Sequence, residues 1–237
     1  MNAVDGEMRI VVIIPTLNEE AALGKTLDSI CPEISDGDRV IVADGGSVDH
    51  TLDLARRYGA TIIPVSSRGR GTQIATALRH VDDDIVLIVH ADMIVPAGAL
   101  SAIRRGLVKR PDCPGGCLGH RFDSASRLLR LTEWWDERRA RRGMSYGDQA
   151  QFFRRKLLES LGGFPDQPIM EDVELSCRLR RLGTPVYLDC PALVSARRFI
   201  RIGWCRTILG NSCARLVYRL GGLRAAKAIY SYYYRHS

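Results

Sequence analysis

A chain of 237 residues, 46% hydrophobic and 26% charged, is long enough to build one large domain, or a domain with an appendage, around a proper core. Its formal charge of +7 is unevenly placed: nine of the 34 basic residues and none of the 27 acidic ones follow Asp189. A near-neutral body with a basic tail is not a uniformly basic nucleic-acid binder, and no nucleic acid is expected as a partner.

Seven cysteines with no Cys-x-x-Cys pair argue against a disulfide framework. Residues 1–8 are polar and acidic rather than a secretory leader, and no stretch reaches the roughly 20 apolar residues that span a bilayer. A cytoplasmic location is expected.

The first strand is expected at Arg9 to Ile14, an aliphatic run closed by Pro15. Thr16, Leu17, Asn18, Glu19 and Glu20 then open a helix ending near Cys31-Pro32, either as cap and dipole partners or as ligand-facing groups at a strand end. Asp38 to Ala43 repeats the pattern, followed by Asp44-Gly45-Gly46-Ser47 and a helix over Val48 to Tyr58 that Ser47 can cap. The Asp44 carboxylate is surplus to that cap.

A third strand is predicted at Thr61 to Val65. In the loop after it, Gly69-x-Gly71 is followed by Ile74 where a dinucleotide fingerprint needs its third glycine, which argues against a Rossmann dehydrogenase. Arg68 and Arg70 read as phosphate partners on this loop. A helix over Thr72 to His80 leads to the strand Ile85 to Val89, which ends in His90-Ala91-Asp92; Pro96 suits the first turn of the next helix. The order β-α-β-α-β-α-β implies a parallel sheet with Thr16, Asn18, Glu19, Asp44, the loop arginines, His90 and Asp92 along its carboxyl edge, where α/β sheets bind ligands. Carboxylates and arginines together suit a nucleotide diphosphate with a divalent metal.

In the second half, strands are expected at Gly116 to Phe122, at Phe152-Phe153 and at Pro185 to Asp189, with helices over Ser124 to Arg142 and from Met170 to Leu182. Cys113, Cys117 and His120 are spaced like three zinc ligands, but no fourth ligand completes the set. From Ile202 onward Trp204, Cys205, Ile208, Leu209, Cys213, Leu216, Val217 and Leu220 fall near helical spacing. With the aromatic run Tyr230, Tyr232, Tyr233 and Tyr234, this tail could lie on an anionic membrane, making the protein peripheral there, or pack over the body.

Pro15-Thr16-Leu17-Asn18-Glu19-Glu20, Asp44-Gly45-Gly46-Ser47-Val48-Asp49-His50-Thr51, His90-Ala91-Asp92 and Met170-Glu171-Asp172 together resemble the family 2 glycosyltransferases in order and spacing. Arg70-x-x-Gln73 and Gly147-Asp148-Gln149 are similar to a small bacterial subgroup. The resemblance implies an α/β GT-A fold over residues 1–200, with a nucleotide-binding half (1–110), an acceptor half (111–200) and a basic helical tail (201–237). It also implies a nucleotide-sugar donor, most often a UDP-sugar, and a divalent cation, Mg2+ or Mn2+. By this resemblance Pro15 to Glu19, Asp44 and Gly45 hold uracil and ribose, and Arg70, with Gln73, lies near the nucleotide. His90, Ala91 and Asp92 match the metal-binding Asp-x-Asp motif, Gly147 to Gln149 lie on the sugar side, and Asp172, with Glu171 beside it, is the general base. His90 replaces the first acid of that motif and adds no negative charge, so weak cation affinity is expected until the donor arrives. A sugar-nucleotidyltransferase and a non-catalytic nucleotide- or membrane-binding protein are the alternatives. The acceptor is not legible.

Overall fold

Five aliphatic residues in succession leave a strand no polar face to turn to water, and Ile10 to Ile14 are buried on both sides. In the computed structural model, which describes residues 8–66 and 69–234 with side chains to residue 227, they form β1 (Ile10–Thr16). Ile10, Val12 and Ile14 enter one apolar layer and Val11 and Ile13 the other, as the two-residue period of a strand requires. β2 (Arg39–Asp44), β3 (Thr61–Pro64) and β4 (Ile85–Ile88) run parallel to it in the order β3-β2-β1-β4. The crossovers are α1 (Glu20–Ile30), α2 (Thr51–Arg57) and α3 (Arg70–Leu78). Leu23 and Leu27 of α1 pack on the first layer, and Ile74 and Ala77 of α3 on the second. Each leucine or isoleucine so buried contributes about 1.5–3 kcal/mol.

The chain continues through β5 (Met93–Ile94), α4 (Ala99–Val108), β6 (Gly115–Cys117), β7 (His120–Phe122) and α5 (Arg127–Ala140). A 3-10 turn (Gly147–Gln149) precedes β8 (Gln151–Arg154), α6 (Arg155–Glu159), α7 (Glu171–Leu182), β9 (Val186–Tyr187), β10 (Ala192–Val194), α8 (Arg197–Ile202) and α9 (Trp204–Tyr234). The main sheet is seven-stranded, β3-β2-β1-β4-β8-β6-β9, with β8 antiparallel to both neighbours. A second sheet, β5-β10-β7, stands beside it.

Three local expectations need correction. Gly116 to Phe122 is not one strand: Gly119, at φ 82°, turns the chain so that β6 and β7 join different sheets. Pro96 precedes a helix that starts only at Ala99, after Gly98 in the left-handed region. Ser47 does not cap α2, which begins at Thr51 with Asp49 accepting from the Thr51 amide; the Ser47 amide and hydroxyl both turn to Asp44.

The tail packs on the body. Trp204 Nε1 donates to Thr132 Oγ1 at 2.9 Å, the Tyr218 hydroxyl donates to Glu174 at 3.1 Å, and Arg215 lies over the Tyr146 ring. The docked face carries Thr207 and Ala214, whereas Leu209, Leu216 and Leu220 of the apolar stripe are exposed. Gly222 breaks α9. Among the described residues no helix is long and apolar enough to cross a membrane. Arg68 and the side chains of Tyr230, Tyr232, Tyr233 and Tyr234 lie outside the described residues.

Candidate active site

Parallel pairing sets Thr16 opposite Asp44 at the carboxyl ends of β1 and β2. Asp44 is buried and accepts from the Thr16 hydroxyl at 3.1 Å, from the Gly46 and Ser47 amides at 2.9 Å, and from the Ser47 hydroxyl. The two loops beyond are stitched together. The Asn18 amide donates to Ser47 Oγ, Asn18 Oδ1 accepts from the Val48 amide, and the Glu19 amide donates to Thr51 Oγ1. Asn18 adopts φ 55°, a conformation asparagine tolerates better than most residues. Beneath them, Gln73 Nε2 donates to the carbonyls of Thr16 and Ala43 at 2.7 and 2.9 Å, tying the strand ends together under Gly45. Pro15 is buried within β1, and Leu17 is exposed at the rim.

The glycines flanking Arg70 serve packing. A Cβ at Gly69 would lie 2.8 Å from Pro168 Cα, and one at Gly71 would lie 2.1 Å from the Gln167 carbonyl. α3 therefore begins against the loop that leads into α7, and Arg70 faces the start of α7. Its Nε pairs with Glu171 Oε1, its Nη1 lies 3.2 Å from His90 Nε2, and its Nη2 lies 3.9 Å from Asp172 Oδ2. A guanidinium only donates, so His90 Nε2 accepts and the proton sits on Nδ1. Burial, and then the Arg70 charge, lower the His90 pKa to about 3, so the ring is neutral near pH 7. Glu171 is buried, and burial raises its pKa against the opposing pull of Arg70. Asp172 is held through both oxygens: Oδ2 accepts from the Gly147 amide and Oδ1 from the Val173 amide, each at 2.8 Å.

Gly147 fits between these groups because it lacks a side chain; a Cβ there would lie 2.9 Å from His90 Nε2. Gln149, further along the turn, accepts through Oε1 from the Tyr146 amide and from Arg139. Asp148 is half-buried with Oδ1 enclosed, and burial alone would raise its pKa, but His120 and Arg139 hold it below the usual carboxylate range.

Asp92 stands at the outer mouth. Ala91 is anchored by the Thr26 hydroxyl, which donates to its carbonyl at 2.7 Å, and Asp92 Oδ2 lies 3.1 Å from Arg197 Nη2. Burial and the neighbouring Asp92 charge raise the pKa of Glu19. Arg197 was not singled out by sequence; its only signal was the acid-free tail. The structure thus gathers Arg70, His90, Gly147, Glu171 and Asp172 into an inner cluster, and Glu19, Asp92 and Arg197 into an outer one. A cavity of about 460 Å³, lined by Trp134, Trp135, Met144 and four arginines, contains none of the residues singled out for donor or catalysis.

Residues 11–161, more than half of the chain, match the family model described as Glycosyl transferase family 2. The chain belongs to that family. Protein RfbJ of Shigella flexneri is 32% identical to this glycosyltransferase over 109 residues, 46% of this chain and 84% of that protein. Mannosyltransferase PcManGT from Pyrobaculum calidifontis, solved in complex with GDP-Man and Mn2+, has a TM-score of 0.65 at 26% identity, covering 78% of this chain and 56% of that one. Glucosyl-3-phosphoglycerate synthase of Mycobacterium tuberculosis is 37% identical over 98 residues, 37% of this chain but 30% of that protein. Its structure with Mn2+, UDP and phosphoglyceric acid has a TM-score of 0.59 at 23% identity, over 92% of this chain and 80% of that one, a likeness of fold. These structures share the mixed α/β GT-A architecture of this glycosyltransferase.

Proposed function

We propose that this glycosyltransferase moves a sugar from a UDP-sugar to an acceptor hydroxyl with inversion at the anomeric carbon, Asp172 acting as general base. The observation that carries the reading is the meeting of Arg70, His90 and Asp172, residues from three distant segments, within 3.9 Å contacts at the sheet edge. The joined loops Pro15 to Glu19 and Asp44 to Gly46 would take uracil and ribose. Arg70 brings positive charge to the diphosphate, and Arg68 joins it in this reading. Nucleotide and cation in the PcManGT and synthase structures support the same ligand class here.

A divalent cation, Mg2+ or Mn2+, fits the oxygen chemistry of the mouth. Such ions are held by one or two carboxylates together with substrate phosphates, and Glu19 and Asp92 are neighbouring carboxylates there. Asp92 would hold the ion; His90 could join it only by releasing Nε2 from Arg70. When bound, the ion neutralises charge that builds on the departing diphosphate.

The chemistry assigned to the chain's own residues is direct. The acceptor oxygen attacks the anomeric carbon as its proton passes to an Asp172 oxygen, and the carbon–oxygen bond to phosphate breaks with its electron pair leaving on UDP. The two amide donors hold the Asp172 carboxylate in one orientation, and Arg70 stabilises charge more in the transition state than in the ground state.

A panel of UDP- and GDP-sugars with Mn2+ or Mg2+ tests the reading, with water as surrogate acceptor. Slow release of the inverted free sugar from a UDP-sugar, abolished by chelator, is expected. Pyrophosphate release from a nucleoside triphosphate would instead make the protein a nucleotidyltransferase, and no turnover with any donor would favour a binding protein.

A further inference from the structure

His120, on β7, is 4% exposed, and neither ring nitrogen has a hydrogen-bond partner among the described residues. Its closest carboxylate oxygen is Asp136 Oδ2, from α5, at 3.7 Å, too long for a hydrogen bond. Asp148 Oδ1, from the turn before β8, is likewise buried without a partner. One ligand atom from each of these three residues lies within 4.8 Å of the others.

The geometry points to a divalent transition-metal ion, Zn2+ or Mn2+, bound by His120, Asp136 and Asp148 at a site separate from Asp92. Ligands at about 2.1 Å from a common ion lie no more than about 4.2 Å apart. The His120–Asp136 spacing already satisfies this limit, and the Asp148 ligand atom lies within 4.8 Å of both. One imidazole with two carboxylates suits zinc or manganese better than the all-oxygen preference of magnesium.

The surroundings orient the ligands as metal sites do. Arg139 pairs with Asp136 Oδ1, which turns Oδ2 toward His120. Arg139 also stacks 3.8 Å from the Tyr146 ring and donates to Gln149 Oε1 at 3.3 Å. The Cys113 thiol, by contrast, donates to the Gly115 carbonyl at 3.1 Å. The ion would fasten α5 to the turn whose Gly147 amide holds Asp172.

This site does not depend on the sugar-donor reading, and its test uses the full chain without nucleotide. Metal-stripped protein is titrated with Zn2+ alone and with Mn2+ alone by calorimetry, alongside elemental analysis of the protein as purified. One equivalent of at least one ion is expected to bind, at least about tenfold more weakly in both His120→Gln and Asp136→Asn, and unchanged in Asp92→Asn. Failure of the wild-type chain to bind either ion would overturn the proposal without recourse to any variant. Binding lost in Asp92→Asn but kept in His120→Gln would also overturn it.

Discussion

The Gly147 amide donates to Asp172 Oδ2 over 2.8 Å, while a methyl group at position 147 would stand 2.9 Å from His90 Nε2. One backbone position therefore sets both the proposed base and the room available to the imidazole at the end of β4. Gly147→Ala is expected to destabilise by about 1–3 kcal/mol through overpacking. It should lower kcat for donor hydrolysis by at least about tenfold, because the base is displaced. Urea unfolding and turnover, measured on the same preparation, check the two effects; turnover equal to wild type would show that the contact does not position the base.

Arg70 and Glu171 form an ion pair in which the acid is buried and the base partly exposed. Arg70→Met leaves Glu171 without its partner and is expected to cost about 3–5 kcal/mol. Glu171→Gln in the same chain should restore much of that loss without restoring turnover, since the positive charge stays absent. A double-mutant cycle by denaturant unfolding reads the coupling. Additive effects would count against the pair.

His90 gives a signed pH dependence. Its pKa is lowered to about 3 in the fold, so below the unfolded value of about 6.5 the unfolded chain binds a proton that the native state does not. Its contribution to stability is full above that pH. It falls by about 1.4 kcal/mol per unit on acidification, flattening as pH nears the folded value. Wild type minus His90→Gln, by unfolding at several pH values, should show this slope between pH 6 and 4. A flat difference would mean that the ring is protonated in the native state.

Much of the donor side was legible because its signals are local. The runs Ile10 to Ile14 and Ile85 to Val89 have no polar face, so both had to be doubly buried strands, and parallel pairing then fixed Thr16 beside Asp44. The second half was harder. Gly119 divides what reads as one strand into two sheets, an effect of one positive φ that the apolar pattern does not carry. His120 meets Asp136 only because α5 folds back on β7, and within α5 that aspartate is one charge among many. The glycines beside Arg70, which fall short of a dinucleotide fingerprint, pack closely against Pro168 and Gln167, a contact the sequence does not signal. Leu209, Leu216 and Leu220 of the α9 stripe likewise face outward, while Trp204, Thr207 and Ala214 dock.

The two cation sites make separable demands. Asp92 offers one carboxylate already paired with Arg197, so Mn2+ should bind there weakly until a diphosphate supplies further oxygens. In His120→Gln protein, calorimetry should find Mn2+ binding strengthened by UDP, and Asp92→Asn added to that chain should remove it. Tight binding at Asp92 without UDP would contradict this division.

The central claim is tested most directly by Asp172→Asn, which keeps the shape and one of the two backbone-amide contacts but removes the base. UDP affinity by calorimetry should stay within about twofold of wild type while inverting transfer falls by at least about a hundredfold, as loss of general-base catalysis requires. Wild-type turnover in Asp172→Asn would contradict the assignment of the base, and loss of UDP binding in that variant would move Asp172 from the acceptor side to the nucleotide.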